Sequence, residues 1–233
     1  MNAAITQLIK TDFVLQWRYR IIAAYAFVIA LYAVLIVFAG SILPSWVIAL
    51  FIFSDPAVFG FFFLGGLMML EKGENVRAAL AISPASTRQY LFSKIVSLTA
   101  IALVAVLILS LVAGASAGGI ALVLFATICI SVAFTSIGAI VALRFKTVNG
   151  YLIGSVPFIL PLIAPAAALL FEPLPIIVYA LPPVAQVKLL LIALGASTST
   201  FPVLIVCSFS CIIAAAGAFY GATQYLQREL GSK

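Results

Sequence analysis

Apolar runs of about twenty residues recur six times along this chain, and they decide what it can fold into. A helix crosses the hydrocarbon core of a bilayer with about 20 consecutive apolar residues. Only 8% of the residues are charged, so a soluble domain of this composition would have too little polar surface to face water. The sequence therefore predicts an all-α integral membrane protein. Its single domain, residues 21–233, would have six spans at 21–40, 45–70, 95–114, 119–143, 150–171 and 202–226.

Residues 1–20 precede the first span and have a helical pattern of their own. The apolar residues that share one side of this helix are Ile5, Leu8, Ile9 and Phe13. Trp17 is an aromatic residue of the type found at membrane interfaces, and basic residues lie near it. This pattern predicts an amphipathic helix that lies in the headgroup plane and leads into the first span.

Basic residues are distributed unevenly about the six spans. Eleven of the twelve would lie on the side of the two termini, and only Lys188 would lie on the other side. Cytoplasmic loops carry the excess of Lys and Arg in membrane proteins. We therefore expect both termini and the polar loop at 71–94 to be cytoplasmic.

The segment 172–201, between the fifth and sixth spans, is apolar but is broken by prolines. Four of them occur within eleven residues, at Pro173, Pro175, Pro182 and Pro183. Proline disrupts the interior of a helix, so one continuous span is excluded. The sequence predicts short helical pieces that dip into the membrane as re-entrant helices or lie on its surface, on the side opposite the termini.

The loop at 71–94 is the one long polar segment, and it contains two short helical stretches. Asn75 can cap the first stretch and Pro84 ends it, while Ser86 or Thr87 can cap the second. The first stretch leaves three apolar side chains to be covered: Val76, Leu80 and Ile82. Either a groove of a partner protein or the lipid surface can cover them.

A resemblance to a known family bears on this loop. The stretch EKGENVRAALAISPASTRQYLFSKIVSL resembles the sequence after the second span of ABC-2 type permeases, the membrane subunits of ATP-binding cassette exporters. The preceding DPAVFGFFFLGGLMMLEKGE is similar to a bacterial subgroup labelled as drug, especially fluoroquinolone, export permeases. The family's layout is a cytoplasmic amphipathic helix, six spans, a coupling helix after the second span and re-entrant helices after the fifth.

The resemblance implies a coupling helix that docks on a separate ATPase subunit and moves when that subunit closes on ATP. The residues that would make this contact are Glu71, Glu74, Asn75, Val76, Arg77, Leu80, Ile82, Ser83 and Pro84. It further implies two ATPase copies, a second permease copy or paralogue, and the cell (inner) membrane of a bacterium or archaeon. The chain has no phosphate-loop motif. ATP and magnesium would therefore bind the partner, with no cofactor on this chain.

Asp55 lies well inside the second span, where a charge costs about 2.5–3.5 kcal/mol on the gentlest scales. It either lines a translocation path or pairs with another helix, or it caps a helix that restarts at Pro56. Phe59 and Phe62 could line the same path, or could be bulk that faces lipid. A standalone secondary transporter or channel with Asp55 as its ion or proton site is therefore an alternative function.

Other function classes find little support in the composition. Histidine is absent, which removes the commonest metal ligand and general base. The three cysteines lie in apolar runs and suit small buried hydrophobes. We expect a transport subunit and no enzyme, with no metal site and no nucleic-acid partner. The spans carry few ionisable groups, which favours a hydrophobic or amphiphilic cargo such as a drug, a lipid or a peptide-like compound.

Overall fold

The computed structural model describes residues 2–40, 42–73, 86–198 and 200–230, and every regular element among them is helical. The α-helices are α1 Asn2–Arg18, α2 Ile21–Ala39, α3 Ser45–Ser54, α4 Gly60–Gly73, α5 Thr87–Val112, α6 Ala117–Ala142, α7 Val148–Gly154, α8 Val156–Ile163, α9 Pro182–Ala193 and α10 Phe201–Leu230. A π-helical turn, Asp55–Phe59, joins α3 to α4. Two 3₁₀ helices, Ala164–Phe171 and Ile176–Ala180, lie between α8 and α9.

Within the described residues, six helices are long and apolar enough to cross a membrane, which confirms the predicted number of spans. They are Ile21–Ala39, Ser45–Lys72, Thr87–Val112, Ala117–Ala142, Val148–Phe171 and Phe201–Glu229. The third begins eight residues before the predicted start at 95, because Ser86 caps it. The Ser86 hydroxyl accepts a hydrogen bond from the backbone N–H of Gln89. The Gln89 side-chain oxygen accepts one in return from the backbone N–H of Ser86.

The second span does not restart after Asp55 but continues through the π-helical turn Asp55–Phe59. Pro56 lacks a backbone N–H, so a regular α-helix would lose one hydrogen bond at this point. The wider turn accommodates the proline within a continuous helix, as π-bulges do elsewhere. Asp55 is therefore inside the span and is not a cap at its beginning.

Short helical pieces occupy the segment after the fifth span, as the prolines predicted. The 3₁₀ helix Ile176–Ala180 is followed by α9, which begins at Pro182. Proline is tolerated there because the first N–H groups of a helix form no hydrogen bond within the helix. Nine of the twelve α9 residues are buried. The helix packs between α3, α6 and α10, so one short apolar helix is enclosed at this end of the bundle.

α6 lies at the centre of the bundle and packs against α4, α5, α9 and α10. Gly138 of α6 permits the close approach of α4, because a Cβ atom there would lie 2.6 Å from the carbonyl oxygen of Phe61. The Tyr151 hydroxyl donates a 2.7 Å hydrogen bond to the same carbonyl, and its ring lies against Gly65. These contacts fix the half of the second span that leads into the polar loop.

Candidate functional site

A buried ion-pair network holds the described ends of the polar loop. Lys94 lies in the second turn of α5, after the loop, and Glu71 lies near the end of α4, before it. The Lys94 Nζ atom is 2.5 Å from Glu71 Oε1 and 2.8 Å from Oδ1 of Asp12 on α1. All three side chains are buried. One ammonium group therefore joins α1 to both flanks of the loop.

Hydroxyl groups from α5 complete the coordination of the two carboxylates. The Tyr90 hydroxyl donates a 2.5 Å hydrogen bond to Glu71 Oε2, and Ser93 donates a 2.7 Å bond to Asp12 Oδ2. The Lys94 Nζ atom also lies 4.7 Å from the centre of the Tyr90 ring. We call these five residues, Asp12, Glu71, Tyr90, Ser93 and Lys94, the Lys94 cluster. Every carboxylate oxygen in it has a donor, as buried charges require.

The Lys94 cluster gives its surroundings a fixed geometry. Removing one partner from a buried ion pair leaves an uncompensated charge and destabilises a protein by about 3–5 kcal/mol. Gln16 adds a second polar contact between α1 and α5, a 2.7 Å hydrogen bond from its Nε2 to Ser97 Oγ. α1 is therefore joined to both flanks of the loop by charged, directional contacts.

The enclosed side of α1 differs from the side that sequence analysis emphasised. Its most buried described side chains are Asp12 and Gln16, whereas Ile5, Leu8, Ile9 and Phe13 are only partly covered. Trp17 is 74% exposed, as expected for an aromatic residue at a membrane interface. The signal that sequence analysis could have used is the spacing of the two polar residues, four apart and thus on one helix face.

Only part of the predicted coupling helix falls within the described residues. Glu71 is placed, and it belongs to the Lys94 cluster. The other predicted contact residues lie outside the described residues: Glu74, Asn75, Val76, Arg77, Leu80, Ile82, Ser83 and Pro84. Their contact with an ATPase subunit stays a prediction. The structure shows that the two flanks of the loop are joined to each other and to α1 through the Lys94 cluster.

The second polar feature is the Asp55 carboxyl, which is fully buried inside the second span. The Tyr25 hydroxyl of α2 donates a 2.6 Å hydrogen bond to its Oδ2 atom. Its Oδ1 atom has no hydrogen-bond partner, and none of the ion pairs among the described residues involves Asp55. The pairing with another helix that the sequence left open is thus with Tyr25, which sequence analysis did not single out.

Aromatic rings surround this hydrogen bond. The Tyr25 ring centre lies 5.9 Å from that of Phe59 and 5.9 Å from that of Phe63, and the latter two are 5.6 Å apart. Phe62 instead packs against Phe61 on the other side of the helix, at 5.3 Å. Of the three predicted path residues, the structure brings Asp55 and Phe59 together and places Phe62 elsewhere.

Two apolar recesses lie between helices of the bundle. A cavity of about 500 Å³, which we call the Trp46 cavity, lies between α3, the 3₁₀ helix Ala164–Phe171 and α9. A groove of about 370 Å³ lies between α2 and α5, and we call it the Tyr25 groove. Among the described residues that line this groove, Tyr25 alone has a polar side chain. Its hydroxyl bonds Asp55, which does not itself line the groove.

A third polar cluster lies at the end of the bundle occupied by α9. Lys188 Nζ is 2.6 Å from Glu172 Oε1 and 2.6 Å from Ser197 Oγ. The Tyr179 hydroxyl donates a 3.0 Å hydrogen bond to the same Glu172 oxygen. Burial and the adjacent Glu172 carboxylate raise the pKa of Tyr179, so its phenol remains a donor at physiological pH. This cluster ties α9 to the end of the fifth span.

The described residues contain no candidate metal site. No three or more of their His, Cys, Asp or Glu side chains are grouped so that they could hold an ion. Cys129, Cys207 and Cys211 are free and buried, as expected for small hydrophobes. Comparisons with protein-family models, with curated proteins and with solved structures find no match to this chain.

Proposed function

We propose that this chain is the permease subunit of an ABC-2 type exporter, powered by ATP hydrolysis on a separate ATPase subunit. The polar loop at 71–94 would dock in a cleft of that subunit through a helix at 71–84. Two permease chains, identical or paralogous, would face two ATPase copies. ATP and magnesium would bind the ATPase and not this chain.

The Lys94 cluster is the observation that carries the proposal. A loop that transmits motion into a bundle has to be fixed firmly at its base. If its flanks were held only by mobile side chains, the loop could move without moving the helices. Both flanks of this loop are held by Lys94, and α1 is held by the same ammonium group through Asp12. A loop that merely rested on lipid would need no buried charges at its base, and burying charges is costly.

The proposed cargo is a hydrophobic or amphiphilic compound such as a drug, a lipid or a peptide-like molecule. The Trp46 cavity and the Tyr25 groove have mostly apolar linings, which suit such a molecule. Cargo would enter laterally from the bilayer or by alternating access. Motion of the loop would shift α5, which borders the Tyr25 groove, and α4, which continues the span whose first half, α3, borders the Trp46 cavity.

The finer topology is part of the same proposal. α1 would lie at the cytoplasmic interface, with Trp17 toward the headgroups and the Asp12 face against α5. Both termini would be cytoplasmic in a bacterial or archaeal inner membrane. α9 would be a re-entrant helix on the opposite side, which agrees with its short length and its enclosure by α3, α6 and α10.

Isolation of the chain from its native membrane in a mild detergent tests the proposal. We expect a co-purifying protein that contains a phosphate loop, and ATP hydrolysis by the complex. Replacing 74–84 with a Gly-Ser linker of equal length should abolish both while the permease still folds. Stoichiometric recovery of the ATPase with the linker variant would contradict docking through this loop.

A second candidate function is a standalone secondary transporter or channel with Asp55 as its ion or proton site. The observation in its favour is the buried carboxyl with an unpartnered oxygen. Proteoliposomes that contain this chain alone separate the two functions. Transport driven by an ion gradient without any ATPase, and lost in Asp55→Asn, would favour the alternative.

A further inference from the structure

A further apolar groove, which we call the Phe92 groove, lies between α5, α6 and α10. Its volume is about 590 Å³, and the α5 residues that line it extend from Phe92 to Leu103. This length of helix rises about 16 Å, which is close to half the thickness of the hydrocarbon core of a bilayer. The groove therefore has the depth of one leaflet, the one at which α5 begins.

The depth and the lining of the Phe92 groove indicate what occupies it. A transmembrane helix of a partner protein would cross both leaflets and would need a contact surface about twice as long. The acyl chain of a lipid lies within one leaflet. The lining requires no polar ligand, because the hydroxyl of Thr99, which lines the groove, already forms a 2.7 Å hydrogen bond with that of Ser131. An acyl chain therefore matches the groove in both length and polarity.

A basic side chain lies at one end of the Phe92 groove. Arg88 precedes Phe92 by four residues and shares its face of α5, and Val96 and Ala100 continue this spacing and line the groove. Arg88 is exposed, and its guanidinium carbon lies 6.0 Å from the ring centre of Phe219, which also lines the groove. None of the ion pairs among the described residues involves Arg88. A positive charge therefore lies at the end of the groove, and no described carboxylate neutralises it.

Phosphate is the group that an arginine in this position binds in a membrane. The guanidinium group matches two phosphate oxygens, and basic residues beside membrane helices bind anionic headgroups. When an acyl chain fills the groove, its headgroup lies beyond Phe92, and Arg88 is one helical turn, about 6 Å, in that direction. A zwitterionic headgroup would bring a second positive charge close to Arg88, whereas an anionic headgroup would not.

From this arrangement we propose that the Phe92 groove is a binding site for one anionic glycerophospholipid. One acyl chain of the lipid lies between α5, α6 and α10, and its phosphate lies against Arg88. The bound lipid joins α5 to α10 near the end of the bundle where α5 carries the Lys94 cluster. This binding needs no ATP, cargo or partner protein, so it stands or fails independently of the proposed function.

Native mass spectrometry of the full chain, titrated with lipid in detergent, tests the headgroup contact. The probes are dioleoylphosphatidylglycerol and dioleoylphosphatidylcholine, which have the same acyl chains. We expect one phosphatidylglycerol to bind about fivefold more tightly than phosphatidylcholine, and Arg88→Gln to remove this preference, as loss of one basic residue near a headgroup does. Arg228→Gln is the matched control, because it removes an exposed arginine at the end of α10 that does not line the groove. Equal phosphatidylglycerol affinity of Arg88→Gln and the wild type would overturn the proposal.

A second variant tests the place of the acyl chain. Ala216 of α10 lines the groove and is exposed, so Ala216→Phe fills the groove without disturbing the core. It should weaken the binding of both lipids by at least about tenfold, because the chain loses apolar contacts. Ile213→Phe is the control, since Ile213 is exposed on the same helix outside the groove. Equal lipid affinity of the two variants would overturn the proposal, and so would the loss of a co-purifying polypeptide from Ala216→Phe while lipid binding is unchanged.

Discussion

Lys94 and Asp12 are 82 positions apart in sequence, yet their side chains form a buried ion pair with a 2.8 Å contact. The same ammonium group contacts Glu71 at the other flank of the polar loop. The helix that precedes the first span is thereby fixed to the two spans that carry the loop. α1 is thus a structural part of the bundle.

Replacement of Lys94 tests the strength of this anchorage. Lys94→Met leaves two buried carboxylates without their cation, so we expect a loss of about 3–5 kcal/mol in the free energy of unfolding. Lys72→Met is the matched control, because Lys72 is exposed one residue after Glu71 and should change stability by less than about 0.5 kcal/mol. Thermal unfolding in detergent measures both. Equal midpoints for the two variants would contradict the anchor.

Two adjacent glycines test the packing of the second span. A Cβ atom at Gly65 would overlap the Tyr151 ring, which is fully buried and held by its bond to the Phe61 carbonyl. Gly65→Ala should therefore destabilise the chain by about 1–3 kcal/mol. A Cβ atom added at Gly66 would have no neighbouring atom within 4 Å. Gly66→Ala should therefore leave the stability unchanged or raise it slightly. Thermal midpoints that fall equally in both variants would contradict this packing.

Tyr179 predicts a pH dependence at the α9 end of the bundle. Its pKa is raised above the ordinary value near 10 by burial and by Glu172. Below that ordinary value the folded and unfolded chains both hold the proton, and the stabilising effect is complete. As the pH rises from about 10 toward the raised pKa, the unfolded chain loses its proton first and stability falls. Tyr179→Phe should reduce this alkaline loss.

Melting curves between pH 8 and pH 11 measure the effect of Tyr179→Phe. Tyr220→Phe is the control, because the Tyr220 side chain is 67% exposed on α10. We expect the control to follow the wild-type curve at every pH. If both variants flatten the alkaline loss to the same extent, the hydrogen bond between Tyr179 and Glu172 is not its source.

The six spans could be predicted because the length of an apolar run is a property of the sequence alone. The proline-limited pieces after the fifth span were also visible, since proline acts locally, whereas the helix restart considered at Pro56 does not occur. The helix cap at Ser86 was also visible in the sequence, although the span was placed at 95. The contacts of Tyr90, Ser93 and Lys94 were not visible, because Asp12 and Glu71 lie in distant segments.

The candidate site was less predictable because its contacts join distant segments. The cost of burying Asp55 predicted that it needs a partner, but an apolar run gives no sign that Tyr25 is that partner. Among three consecutive phenylalanines, one position corresponds to about 100° around a helix. Only tertiary packing decides that Phe63 and not Phe62 faces Tyr25.

Photo-crosslinking from position 80 tests the central claim, that the polar loop docks on a separate ATPase, most directly. Benzoylphenylalanine replaces Leu80 in one chain and Ile177, which is 74% exposed on the 3₁₀ helix before α9, in another. After illumination of native membranes, we predict one adduct from position 80, with a protein that contains a phosphate loop, and a yield that changes when ATP binds. Position 177 should give no such adduct. Absence of the adduct at position 80, while the purified chain alone moves cargo across a vesicle membrane, would contradict the account.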